Sequence, residues 1–198
     1  MLLFWDAVTA RFLDSLRLGQ GTRLLDVGSG PGTLVRLATS AGIEARGVEP
    51  FWPELHPRVV RGYAEELPFP DASFDVATCF SVIEYLADPE RSLREVARVL
   101  RAGGRAIVAV PDLAAYPGLR RERYRHVTSP RWFGELVARV PELRVAKVRG
   151  FGVRYLVPVA KRTVVRLAPR LGPRALAAIY ARRFPMAVAD ITVWTLSR

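Results

Sequence analysis

Asp26 sits inside the apolar run of Leu24, Leu25 and Val27, two residues before Gly28. Gly28, Gly30 and Gly32 then alternate with Ser29 and Pro31. A carboxylate in an apolar strand is costly to bury unless it is paired. Asp26 is therefore expected to accept hydrogen bonds from the loop or to face a cationic ligand. Three glycines strip side chains from the backbone, so a ligand can approach it, and the helix that follows would present free N–H groups. A tight strand-to-helix turn with no ligand uses the same glycines. The dinucleotide fingerprint needs its third glycine where this chain has Thr33. Glu49 ends the next apolar segment, "GVEP". An acid about 20 residues past such a loop is placed to accept both hydroxyls of a ribose.

These residues need strands and helices to hold them. The pattern predicts an N-terminal amphipathic helix, a strand at 23–28 and a helix from about 32 to 41 closed by Gly42. Short strands are expected in "EARGVEP" and near "RVVRG", and a buried one in "FDVATCF". Leu93, Val96, Ala97 and Leu100 follow helical spacing, with Gly103 and Gly104 as the expected stop. "RAIVAVPD" reads as a strand, and "SPRWFGELVARV" as a helix with Ser129 as N-cap and Pro130 at its first position. "LRVAKVRG" and "AVADITVWTLS" alternate as strands. Strands alternating with helices mean an α/β fold with helices on both faces of a parallel sheet.

The 198 residues, half of them hydrophobic, are expected to form a single domain. One cysteine, Cys79, excludes a disulfide within the chain and points to a reducing cytoplasm. His56, His126 and Cys79 are too scattered to suggest a metal site. No apolar run is long enough to span a bilayer, and the first residues read as a helix rather than a signal peptide. The net charge of +11 has a location: residues 143–189 hold eleven Lys and Arg and no Asp or Glu. A near-neutral domain therefore carries a basic helical insert at about 153–185, broken by prolines, before the last strand.

"LLDVGSGPGTL", "GVEP", "AEELPFPDASFDVATCFSVIEYLADPERSLREVARVLRAGG" and "IVAVPD" together resemble the class I S-adenosylmethionine-dependent methyltransferases. The most similar group is the type-11-like set that includes ubiquinone/menaquinone-biosynthesis enzymes. The resemblance implies a three-layer αβα, Rossmann-like fold with a seven-stranded, mostly parallel sheet whose last strand is antiparallel. It implies S-adenosylmethionine as methyl donor and no metal. Gly28, Gly30 and Gly32 would give the methionine end room, and Asp26 would order the loop and the ammonium. Glu49 would take the ribose. Ala64 and Glu65 would edge the adenine, where Tyr63 replaces the family's usual Asp, and Phe80 would border the cofactor.

Methyl transfer needs alignment and water exclusion, and a base only if the acceptor must lose a proton. Glu84, Tyr85, Asp112 and His126 are the candidates near the expected substrate mouth; Tyr85 stands where relatives often have a His. "CFSV" follows the fourth expected strand in place of the Asn-Pro-Pro-Tyr type motif of nucleic-acid amine methyltransferases. The expected acceptor is therefore a small molecule, hydrophobic or lipid-like. The alternatives are an RNA methyltransferase footed on the basic insert and an inactive cofactor-binding protein. The insert reads as a two-helix cover with a basic rim, as a lipid- or membrane-surface contact, as an RNA contact, or as an oligomer contact. An anionic membrane surface ranks above nucleic acid as partner, giving a cytoplasmic protein with a peripheral position at the membrane as the second reading.

Overall fold

The computed structural model describes residues 2–115, 122, 124–151, 183–184 and 191–198. Eight strands form one sheet in the order β3-β2-β1-β4-β5-β8-β6-β7. They are β1 (Arg23–Val27), β2 (Glu44–Glu49), β3 (Val59–Arg61), β4 (Phe74–Phe80), β5 (Leu100–Pro111), β6 (Arg144–Phe151), β7 (Arg183–Phe184) and β8 (Ile191–Ser197). β1 to β5 pair in parallel, and β8 runs antiparallel between β5 and β6. The expected seven strands are therefore present, with the last one reversed as anticipated. Two-residue β7 adds an edge pairing with β6 at Gly150 and Phe151. It falls at the end of the stretch read as a helical insert. The rest of that reading, at 153–182 and at residue 185, lies outside the described residues.

The helices are α1 (Leu2–Leu16), α2 (Thr33–Ser40), α3 (Pro89–Val99) and α4 (Pro130–Val137). Two apolar layers cover the sheet. α1 and α2 bring Leu13, Leu16, Leu34, Val35 and Ala38 onto Leu24, Val76 and Ile107. On the other face α3 and α4 bring Leu93, Val96, Phe133 and Leu136 onto Val27, Ala77 and Val108. The α4 prediction holds in detail: the Trp132 N–H donates to Ser129 Oγ at 3.1 Å, with Pro130 in the first turn. α3 is capped in the same way by Asp88, which accepts from the Arg91 N–H at 2.9 Å.

The end of α3 is not where the glycines put it. The helix stops at Val99, and Leu100 is already extended and paired with Phe74. Leu100 is fully buried, so the core needs it in the sheet. Gly103, with φ 73°, lies inside the irregular start of β5 instead of capping a helix.

Strand order reverses between β1 and β4, since β2 and β3 continue to one side of β1 and β5 to the other side of β4. In such sheets ligands bind outside the carboxyl ends of the strands at this switch point. Both the glycine loop after β1 and the turn after β4 stand there.

Candidate functional site

The glycine loop is built by its neighbours as much as by its own sequence. The Gly28 and Ser29 N–H groups both donate to Val48 O, at 2.9 and 3.1 Å. The Gly30 N–H donates to Glu49 Oε2 at 3.0 Å, and the Gly32 N–H to Ser29 O at 2.9 Å. All three glycines have φ between 54° and 82°, a region that disfavours side chains. A Cβ on Gly28 would collide with the Val82 side chain, and one on Gly32 would lie 2.6 Å from His56 Cβ. At these two positions, side chains are excluded by the protein's own packing. Gly30 differs: its nearest neighbour would be Trp52 Cε3 at 3.8 Å, leaving space that a ligand can enter. Of the three glycines expected to make room for a ligand, Gly30 has open space where a Cβ would stand.

Asp26 is 5 % exposed. Its partner is not the loop: Thr78 Oγ1, on the adjacent strand β4, donates to Asp26 Oδ1 at 2.7 Å. Burial pushes the Asp26 carboxyl up to about 7; the Thr78 hydroxyl opposes this rise and nearby Glu49 adds to it. Glu49 is half-buried and tied down. Besides Gly30, it accepts from Phe51 N at 3.0 Å and Trp52 N at 3.3 Å. It is therefore a clasp between the loop and the segment after β2, with lone pairs left to accept from a ligand.

The turn after β4 forms the other wall. Ser81 has φ 54°, and Val82 presses on Gly28. Residues Ile83–Tyr85 make a 3-10 turn. Glu84 within it is 2 % exposed, and its Oε2 is buried with no hydrogen-bond partner among the described residues. Burial raises this carboxyl to about 7, against a smaller opposing effect from its own backbone N–H. The Glu84 carbonyl is pinned from outside by Arg125 N at 2.9 Å and His126 N at 3.1 Å. Cys79 is buried near Asp26 and Glu84; burial first, then those two acids, raises its thiol far above the usual range, consistent with an inert core cysteine.

His126 stacks on Trp132 with ring centroids 5.3 Å apart, and its Nε2 lies 3.0 Å from Leu86 O. It holds the 84–86 turn in place. Tyr85 is half-exposed, its ring 5.3 Å from that of Tyr124. Asp112 is buried at the end of β5. Phe80 packs edge-on against Phe12 of α1, with centroids 5.3 Å apart. Ala64 is buried, and Glu65 Oε1 accepts from Ala87 N at 2.9 Å and Asp88 N at 3.4 Å, so that oxygen steadies the start of α3. Sequence reasoning missed an exposed aromatic wall. Phe51 and Tyr63 are 77 % and 57 % exposed and meet edge to face at 5.9 Å, beside Trp52. Large exposed rings at consecutive loop positions next to Glu49 were the available signal.

The arrangement selects a class of ligand. A pyrophosphate needs free N–H groups, and in this loop those of Gly28, Ser29, Gly30 and Gly32 are spent internally. Asp26 and Glu49 add acidic groups, which favour a cation. Among the described residues, no group of three His, Cys, Asp or Glu is placed to hold a metal. Among the same residues, no helix is long and apolar enough to cross a membrane.

Residues 25–108 match a family described as a methyltransferase domain. The chain is 40% identical over 97 residues to an uncharacterized methyltransferase of Mycobacterium sp. (strain KMS), covering 45% of this chain and 38% of the relative. It is 35% identical over 125 residues to the 27-O-demethylrifamycin SV methyltransferase of Amycolatopsis mediterranei (strain S699), covering 56% of this chain and 45% of the relative. The chain thus spans less than half the length of these relatives. A crystal structure described as a SAM-dependent methyltransferase, possible histamine N-methyltransferase, from Thermotoga maritima superposes with a TM-score of 0.64. It is 22% identical and covers 99% of this chain and 91% of that one, which shows the shared fold.

Proposed function

We propose, on the premise that residues 25–108 make this chain a member of the class I S-adenosylmethionine-dependent methyltransferases, type-11 group, that it transfers a methyl group to a small hydrophobic acceptor. One observation carries the reading: a glycine loop with its N–H groups satisfied internally, open only at Gly30 and flanked by the acids Asp26 and Glu49. Such a site suits the ammonium and sulfonium charges of S-adenosylmethionine and repels the diphosphate of a dinucleotide. S-adenosylmethionine supplies a methyl whose leaving group is a neutral thioether, so no acid is required.

Glu49 clasps the loop and accepts from the ribose hydroxyls with its remaining lone pairs. Phe51 and Tyr63 flank the adenine by ring contact, where Tyr63 stands in for the family's Asp and Ala64 offers its backbone. Val82 and Ser81 close the wall over Gly28 and exclude water. Glu84 Oε2, buried in the apoprotein, is the group assigned to take the proton of the attacking atom once binding of the acceptor brings the two into contact. Its carboxyl titrates near neutrality, the range that suits a general base at physiological pH. His126 positions Glu84 through the backbone of the 84–86 turn, and Tyr85 with Tyr124 gives the mouth an aromatic rim. That rim, and a relative named for a demethylrifamycin substrate, support a small hydrophobic acceptor.

The test is to incubate the protein with S-adenosylmethionine and a panel of phenols, hydroxylated polyketides, amines and short RNAs, and to follow S-adenosylhomocysteine release. Turnover with a small hydrophobic acceptor is expected, with Glu84→Gln losing about 10²-fold or more in kcat, as for removal of a general base, and losing the inflection near pH 7. Turnover on RNA alone, or an unchanged pH profile in Glu84→Gln, overturns this assignment.

A single cysteine supports a cytoplasmic setting for the chain. The charge excess of residues 143–189 supports an anionic membrane surface as the partner of the basic insert. Co-sedimentation with anionic but not neutral vesicles at low salt is the expected result. Equal indifference to both would refute that partner.

A further inference from the structure

A cavity lies away from the glycine loop, on the sheet face that carries α1. It has a volume of about 380 Å³ and runs from the end of α1 across β5, β8 and β6. Four cations line it: Arg17, Arg105, Lys147 and Arg149, with no acid among the described lining residues. Register explains their convergence. Ile107, Thr195 and Lys147 form one row across the three strands, and Ala109, Val193 and Arg149 the next but one. Lys147 and Arg149 therefore point from the same face of β6. The opposite wall is the end of α1, where Arg17 has φ 51°, a conformation that favours glycine.

Helix chemistry accounts for part of this charge. Arg105 donates to Leu16 O at 2.9 Å, and cations near the end of α1 favour its dipole. It leaves two facts over. Arg105 Nε is buried with no acceptor among the described residues. Lys147 and Arg149 stand on a strand far along the chain from α1 and form no salt bridge with a described acid. Like charges gathered in a cavity repel one another unless an anion joins them.

We propose that this cavity is a binding site for a small organic phosphate. Guanidinium groups match phosphate oxygens in pairs, and a lysine adds a point charge. Ser15 and Thr195 offer hydroxyls beside the cations, while Phe12, Ile107 and Val193 offer an apolar wall for the organic part. The volume lies in the range of small-ligand pockets. A cavity between a helix and a sheet suits a discrete molecule better than a polymer, which needs a continuous basic track. The site does not depend on the cofactor assignment, since none of its residues belongs to the glycine loop or the turn after β4.

The experiment is calorimetric titration of the full chain with inorganic phosphate and with phenyl phosphate at constant ionic strength, repeated with saturating S-adenosylhomocysteine. One saturable site per chain is expected under both conditions, tighter for phenyl phosphate than for inorganic phosphate. The K147Q/R149Q double variant should weaken it at least tenfold, and Arg17→Gln severalfold. Circular dichroism and melting check that each variant is folded; Arg17→Gln serves if the double variant is not. Parallel arms use a short RNA and anionic vesicles. The proposal is overturned if neither small phosphate binds, if the folded variants bind as the wild type does, or if only RNA or vesicles bind.

Discussion

Replacing Asp26 by Asn should make the apoprotein more stable at pH 8 than at pH 5, relative to wild type. Asp26 is buried and titrates at about 7, against an ordinary value near 3.8. Its folded-state pKa is raised, so between these values the folded chain holds a proton that the unfolded chain has lost. Stability due to this group is therefore greatest below about pH 4 and falls as pH rises to about 7, then levels off. Linkage with those two values gives a cost of about 2 kcal/mol at pH 5 and about 4 kcal/mol at pH 8. Asn has no such cost at either pH, and its amide can pair with the Thr78 hydroxyl that lies 2.7 Å from Asp26. The difference in unfolding free energy between Asp26→Asn and wild type should thus grow by roughly 2–3 kcal/mol from pH 5 to pH 8. For a chain of this size that is about 5–10 °C in relative melting temperature. Urea unfolding at both pH values measures it, and Glu84 cancels because both proteins contain it. Cofactor affinity should move the other way, falling in Asp26→Asn. A stability difference that is the same at pH 5 and pH 8 would falsify the claim that burial raises the Asp26 carboxyl to about 7 in the folded apoprotein.

Other substitutions separate loop packing from ligand space. Gly28→Ala should lower the melting temperature more than Gly30→Ala, since only the first drives a Cβ into Val82; both incur about 1–2 kcal/mol for a left-handed residue. Gly30→Val should weaken S-adenosylhomocysteine binding at least tenfold with the far-ultraviolet spectrum unchanged, and a normal affinity would mean the space at Gly30 is not used. Glu49→Ala should lower both cofactor affinity and apo stability, by about 2 kcal/mol for three charge-assisted bonds at a half-buried site. Differential scanning fluorimetry reads that loss, and an unmoved melting temperature would mean the clasp contributes nothing.

Much of the fold was legible in the sequence because local signals and packing agree. The run Leu24–Val27 followed by glycines gave β1 and its loop, and Ser129 with Pro130 gave the start of α4. The end of α3 was misread because Gly103 and Gly104 are a strong local stop, while the actual end is set by Leu100 joining β4 through Phe74. The acids of the site were visible, but their partners were not. Thr78 lies on another strand, and the loop's acceptors, Val48 O and Glu49, come from β2. Glu84 looked like one of several acids near a strand end; only the turn pinned by Arg125 and His126 shows that it is buried. The phosphate cavity joins α1 to β5, β6 and β8, and no periodicity links positions so far apart in the chain.

The central claim is that the glycine loop binds S-adenosylmethionine. Calorimetric titration of the purified chain with S-adenosylhomocysteine, with NAD as the competing ligand, tests it most directly. One site per chain for S-adenosylhomocysteine, no heat from NAD, and loss of binding in Gly30→Val is the predicted result. No binding of S-adenosylhomocysteine to the folded wild type, or preference for NAD, would contradict it.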